Sequence, residues 1–252
     1  MAVFSQFNER LPDPMFDVNN AGAQVTLGSG LKGPGFASVK VVSRKDTQIS
    51  RTRSGRVVGR DGGSHIWEID ITYNPMTRSE FDIVQSFLDS RNSRLYPFYV
   101  VLPQHSKPKN ATFANTILTN TVRANESALA GASYMFMDMG NPLVSFTTFG
   151  TPLPGDYFNV DDLTDLNHKK TYKVTRVETI ADYNSLIPGG TPTNHRVRVH
   201  FTPPLVRDVP ADAIIRFTEP SFRMIMRSDI IEYDLNTDNL YQFGLQLEEA
   251  LP

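Results

Sequence analysis

Apolar and polar residues alternate strictly from Ile66 to Tyr73, which places Trp67, Ile69, Ile71 and Tyr73 on one face and Ile66, Glu68 and Asp70 on the other. A period of two predicts a strand whose Trp67 face turns into a core. Val39-Lys-Val-Val-Ser43 reads as a second strand, and Arg60-Asp-Gly-Gly-Ser64 between the two supplies a turn. Asn74-Pro75 ends the strand. Thr77 and Glu80 then stand at the spacing of a reciprocal helix cap, and Phe81, Val84, Phe87 and Leu88 form one apolar stripe on a helix running to about Ser90. It is the only well-marked helix in the sequence. Leu95-Tyr-Pro-Phe-Tyr-Val-Val-Leu102 follows as an aromatic-rich strand closed by Pro103.

Beyond Pro103 the texture changes to short β-like pieces separated by turn signals: Tyr134–Met139, Leu143–Phe146, Tyr157–Val160, Lys170–Val177, Arg196–Phe201 and Ala213–Phe217. Such spacing predicts a small barrel or sandwich. Arg196–Phe201 alternates so regularly that Val197, Val199 and Phe201 must share a face. After Pro220 come Phe222–Met226, Ile230–Tyr233 and a terminal run with Tyr241, Phe243, Leu245 and Leu247 on one face. That last strand pairs with a sheet already made, with its acidic end at a sheet edge. The expected organisation is an extended arm over residues 1–35, a β-sandwich domain with one flanking helix over 36–103 and 221–252, and an inserted barrel-like domain over 104–220. The fold class is mainly β.

Composition narrows the function. With 252 residues and 40% hydrophobic content the chain can bury one large core or two smaller ones. It contains no Cys, which removes disulfides, thiolate nucleophiles and cysteine zinc sites together. A net charge of -2 argues against a dedicated DNA-packing protein. The start of the chain lacks a basic segment followed by an apolar run, and no stretch of about 18 apolar residues occurs, so neither a signal peptide nor a membrane span is expected.

No nucleophile elbow, phosphate-binding loop, dinucleotide fingerprint or zinc-protease helix is present in the sequence. Gly28-Ser-Gly30 and Gly33-Pro-Gly35 lack the strand before and helix after that phosphate binding needs. The histidines, His65, His105, His168, His195 and His200, never fall at the four-residue spacing that pairs two ligands on a helix. Asp161, Asp162 and Asp165 with His168 make the best cation candidate, but the stretch lacks the glycine turn and terminal Glu of a calcium loop. No metal or cofactor is expected, and no enzymatic step.

The densest charge bias lies between Lys40 and Arg60, where Lys40, Arg44, Lys45, Arg51, Arg53, Arg56 and Arg60 face only Asp46. The stretch has no interleaved aromatics for base stacking and no groove-reading helix, so specific nucleic-acid binding is not expected. Arg44, Lys45, Arg51, Arg53, Arg56 and Arg60 are therefore read as an arginine-rich β-hairpin meeting acidic neighbours in an assembly; a merely solvated loop is the alternative. Glu248 and Glu249 are a conceivable complement, on the same or a neighbouring subunit.

The run Ile49-Ser-Arg-Thr-Arg-Ser-Gly-Arg-Val-Val-Gly-Arg-Asp-Gly-Gly63, the Trp67–Tyr73 strand, the Phe81–Leu88 helix, Leu95-Tyr-Pro-Phe-Tyr99 and the closing Tyr241-Gln-Phe-Gly-Leu-Gln-Leu-Glu-Glu-Ala-Leu251 together resemble the ring-building domain of phage distal tail proteins and related minor tail proteins. The resemblance covers about 100 of the 252 residues. Pro154-Gly-Asp-Tyr-Phe158, Tyr172-Lys-Val-Thr-Arg-Val177 and Phe201-Thr-Pro-Pro-Leu205 are similar to a small β-barrel of phage virion proteins. The resemblance implies a structural, non-enzymatic virion protein assembled in the host cytoplasm. It also implies a ring-shaped homo-oligomer, a hexamer, that joins the tail tube to baseplate hub or tail-tip proteins. The competing expectation is a carbohydrate-binding or polysaccharide-degrading tail module, with Tyr157, Phe158 and Tyr172 as an aromatic platform.

Overall fold

Two long strands, β1 (Phe36–Arg51) and β2 (Val57–Tyr73), pair antiparallel from Phe36↔Tyr73 to Arg51↔Val57. They belong to a computed structural model that describes residues 9–15, 32–92, 94–140, 146–162, 164–179, 182, 196–230, 232–236 and 238–252, without the side chains of residues 61, 147 and 148. The chain divides into two compact units, Met1–Val100 with Arg223–Ala250, and Val101–Phe222 with Leu251–Pro252. The architecture is mainly β.

In the first unit, β12 (Tyr241–Glu249) lies on the other side of β2, with Leu245↔Ile71 and Leu247↔Ile69 in register. The order continues to β10 (Ser221–Met226) and then β3 (Phe98–Val101), while β11 (Tyr233–Leu235) pairs with the first half of β12. Trp67, Ile69, Ile71 and Tyr73 are buried as their alternation requires, and so are Phe243, Leu245 and Leu247 of β12. Helix α1 (Arg78–Ser90) buries Phe81, Val84 and Leu88. The Phe81 ring stacks on Tyr241 at 4.5 Å and meets Phe243 edge-on at 5.9 Å, which fixes the helix over the aromatic part of β12. Its start is capped as the sequence indicates: the Thr77 N–H and hydroxyl both donate to Glu80 Oε2, at 2.9 and 2.8 Å.

Arg60–Ser64 is not a turn but part of β2; the chain reverses at Thr52–Arg56, where Thr52 N–H donates to Arg56 O and Gly55 takes φ +81°. Gly62 and Gly63 instead form a bulge. The register jumps from Lys45↔His65 to Thr47↔Asp61, Gly63 takes φ +75°, and a Cβ on Gly62 would lie 2.7 Å from Asp46 Oδ2. The third strand is shorter than its apolar run. Leu95 and Tyr96 are exposed because Arg91–Tyr96 closes a turn in which the Tyr96 N–H donates to Arg91 O. The acidic end of β12 lies inside the sheet between β2 and β10, not at an edge.

Within the segment read as an extended arm, Arg10, Leu11, Pro12 and Asp13 are buried. Arg10 bridges Tyr99 in parallel and the Leu11 N–H donates to Tyr99 O at 2.8 Å, so this strap covers the outer edge of β3. Gly28-Ser-Gly30 lies outside the described residues; Gly33 is packed on the strap, where a Cβ would meet Pro12 C at 2.3 Å.

The second unit is a closed barrel in the order β4-β5-β8-β7-β6-β9. Its strands are β4 (Val122–Ala124), β5 (Tyr134–Asp138), β6 (Tyr157–Asp161), β7 (Thr171–Glu178), β8 (Arg196–Thr202) and β9 (Ile214–Arg216). Closure removes the edges that an open sheet of this size would leave. Val197, Val199 and Phe201 point inward together, joining Phe158, Tyr172 and Phe217 in one core. Of the expected strand Leu143–Phe146, residues 143–145 lie outside the described residues and Phe146 opens a helical turn, α3 (Phe146–Phe149). A six-residue helix, α2 (Ala111–Thr116), is an addition: Asn110 Oδ1 accepts the Thr112 and Phe113 N–H groups.

Candidate interaction surface

The hairpin beyond the bulge is a two-stranded ribbon, and every residue from Ser43 to Arg60 is exposed. Sheet pairing accounts for its shape but supplies no burial. Cross-strand partners share a face, so Arg51, Val57 and Ile49 lie on one side and Ser50, Val58, Gln48 and Arg60 on the other. Ile49 is 70% exposed, Val57 54% and Val58 48%, an apolar content that a solvated loop does not need.

The basic residues fall into two groups. Lys40 and Arg44, near the sheet, pair with Asp70 (3.7 Å) and Glu68 (3.2 Å) across the ladder. Lys45, Arg51, Arg53, Arg56 and Arg60 have no carboxylate of the described residues within ion-pair distance. With a screening length of about 8 Å at physiological salt, these cations repel one another along the ribbon. Within the chain, the two acids read as their conceivable complement are engaged elsewhere. Glu248 pairs with Arg94 at 3.1 Å, and Glu249 is buried with its Oε2 accepting the Trp67 N–H at 3.0 Å. Glu249 therefore caps the β2 ladder where β12 pairing stops, which is a structural duty.

A second charged stretch escaped the sequence reading. Asp229, Glu232, Asp234 and Asp238 stand between β10 and the start of β12, all exposed, beside exposed Ile230, Tyr233 and Leu235. Four acids within ten residues were the available signal; breakers at Asn236 and Asn239 hid it among turn residues.

The remaining candidates are occupied by local structure. Asp161 is ion-paired with Arg216, Asp165 with Arg207 at 3.0 Å, and Asp162 accepts the Thr164 N–H and hydroxyl at 2.7 Å each. His168 Nε2 lies 2.7 Å from the Tyr172 hydroxyl inside the barrel unit. His65 contacts Ser43 Oγ at 2.9 Å, His105 packs edge-on to Tyr157, and His200 lies 3.3 Å from Glu178. His195 is outside the described residues. Tyr157, Phe158 and Tyr172 are all buried, so they form core and not an aromatic platform.

Burial pushes the His168 imidazole below its ordinary value, against the pull of Asp162 and Asp165. A histidine with a depressed folded-state value contributes stability above its unfolded value, near 6.5, and loses it as pH falls. The barrel's melting temperature is expected to drop between about pH 7.5 and pH 5.5, and His168→Gln to flatten that dependence. Calorimetry at a series of pH values checks this; an unchanged slope in the variant would assign the dependence to other groups.

No family model matches this chain, and no curated protein matches it.

Proposed function

We propose that the chain is a structural, non-enzymatic subunit of a phage tail tip or baseplate, assembling as a ring that joins the tail tube to hub or tip proteins. The observation that carries this reading is the β1–β2 ribbon, a long exposed hairpin with three exposed apolar side chains and five cations that have no ion-pair partner among the described residues. A free edge and an exposed apolar ribbon are association hazards in a monomer and assembly elements in a closed oligomer. One edge of the sheet is covered by the Arg10–Asp13 strap, while among the described residues β1 pairs with β2 alone. In the ring, neighbouring copies complete this open sheet into a sandwich or continuous barrel; the closed barrel of residues 101–222 needs no such completion. The sequence resemblance supports the same position in a virion, with six copies as the expected number.

The test is the mass of the purified full chain by size-exclusion light scattering over a wide concentration range, with negative-stain imaging. Closed rings with a central hole, their mass a fixed multiple of 28.3 kDa, are expected. A compact monomer at every concentration overturns self-assembly.

A further inference from the structure

The first unit carries a groove of about 440 Å³ along β2 and β12, lined by polar Asp70, Thr72, Gln246 and Glu232 and by apolar residues that include Ile71 and Ile230. Asp70 Oδ1 is buried there and accepts no hydrogen bond among the described residues; Lys40 touches only the other oxygen. Asp234 pairs with Gln242 across β11 and β12, and Gln242 and Gln246 lie on one face of β12, so Asp234 extends the same surface. Glu232 and Asp234 have no cation of the described residues within ion-pair distance. The groove floor is apolar in part, with Ile230 68% exposed at its rim.

We propose that this acidic groove receives the basic hairpin tip of a second copy of the same chain, residues Ile49–Val58. The inference rests on the ring reading above and names the contact that builds it. Complementarity carries it: among the described residues Arg51, Arg53 and Arg56 have no ion-pair partner and stand beside exposed Ile49 and Val57, while the groove offers Glu232, with Asp234 next to it on the same surface, beside exposed Ile230. The contact is not made within one chain. Val57 lies thirteen residues before Asp70 on β2, roughly 40 Å along a strand, and the ribbon is exposed throughout in this structure. Donor and acceptor surfaces are different patches of one subunit, which lets the contact repeat head-to-tail, and head-to-tail contacts close into rings when the rotation allows.

The experiment is a charge swap in the full chain. One variant carries Arg51→Glu, Arg53→Glu and Arg56→Glu; the other carries Glu232→Lys and Asp234→Lys. All five positions are exposed, and unchanged circular dichroism and Trp67 emission verify that both variants fold. Each variant alone is expected to remain monomeric where wild type assembles. Mixed in equal amounts they restore both complementary pairings, and the weight-average mass at least doubles. A variant that assembles alone like wild type, or a mixture of folded variants that stays monomeric beside an assembling wild type, overturns this contact and leaves the ring reading intact. A wild type that is monomeric at every concentration overturns the ring reading, and this contact with it.

Discussion

Replacing Phe158 with Ala is expected to destabilise the barrel by about 3–5 kcal/mol, lowering its melting temperature by on the order of 10 °C or more. Phe158 is fully buried, stacks on Tyr172 at 5.4 Å, and meets Phe201 and Phe217 at 5.4 and 5.3 Å. The cost combines lost transfer free energy with an unfilled cavity, and here the cavity cannot close. Tyr172 is the residue best placed to relax into it, yet its hydroxyl is held by His168 Nε2 at 2.7 Å and by the Val206 N–H at 3.2 Å. Phe201 is fixed through the β7–β8 ladder. The effect therefore belongs at the upper end of the range for a large-to-small change. Tyr134→Ala, at a position 45% exposed on β5, is expected to cost less than about 1 kcal/mol. Calorimetry separates the outcomes: a Phe158→Ala shift no larger than that of Tyr134→Ala would mean that the barrel core is looser than its ring contacts imply. The protein's single tryptophan, Trp67, lies in the other unit, so its emission reports whether the damage stays in the barrel.

The residues that could be read in advance are those whose environment is set by local periodicity. Trp67, Ile69 and Ile71, and likewise Phe243, Leu245 and Leu247, face inward because a strand with one buried face leaves a period of two in the sequence. Thr77 and Glu80 mark the start of α1 because a cap is made within four residues. What could not be read depends on contacts distant in sequence or on conformations that share a composition. Gly62-Gly63 suits a turn and a bulge equally, and only the partner strand with Asp46 decides between them. Helix α2 spans six residues, too few for a 3.6-residue period to emerge. At the candidate surface the basic ribbon was legible as charge, since nothing local offsets its arginines. The fate of Glu248 and Glu249 was not, because whether a carboxylate is free depends on Arg94 and on the Trp67 N–H, both more than 150 residues away.

The strap at residues 10–13 supplies the other large effect: Arg10→Ala is expected to destabilise the first unit by about 3–5 kcal/mol, the cost of stranding a buried charge. Asp13 is fully buried and Arg10 nearly so, with Arg10 Nε donating to Asp13 Oδ2 at 2.8 Å and Asp13 Oδ1 accepting the Met15 N–H at 2.8 Å. Burial raises the Asp13 carboxyl above its ordinary value even with the guanidinium and the Met15 N–H pulling it down, so desolvation outweighs both. Without Arg10 the carboxylate keeps its burial and loses its counter-charge. The double variant Arg10→Met, Asp13→Asn removes both charges, and Asn keeps an acceptor for Met15; it is expected to be milder than Arg10→Ala alone, a non-additivity of more than about 1 kcal/mol. The sign of the pH dependence follows from the raised value. A carboxyl that binds its proton more tightly in the folded state contributes stability at low pH and loses it as pH rises through its folded value. The Arg10→Ala deficit should therefore shrink on acidification towards the ordinary carboxylate range, while the double variant, which has no carboxyl at position 13 to protonate, should show a deficit that widens over the same range. Denaturant unfolding followed by Trp67 emission reads both, since Trp67 sits in the same unit. Equal deficits for the single and double variants at neutral pH would show that the strap is held by Leu11 and by the close packing of Gly33 on Pro12, with the ion pair contributing little.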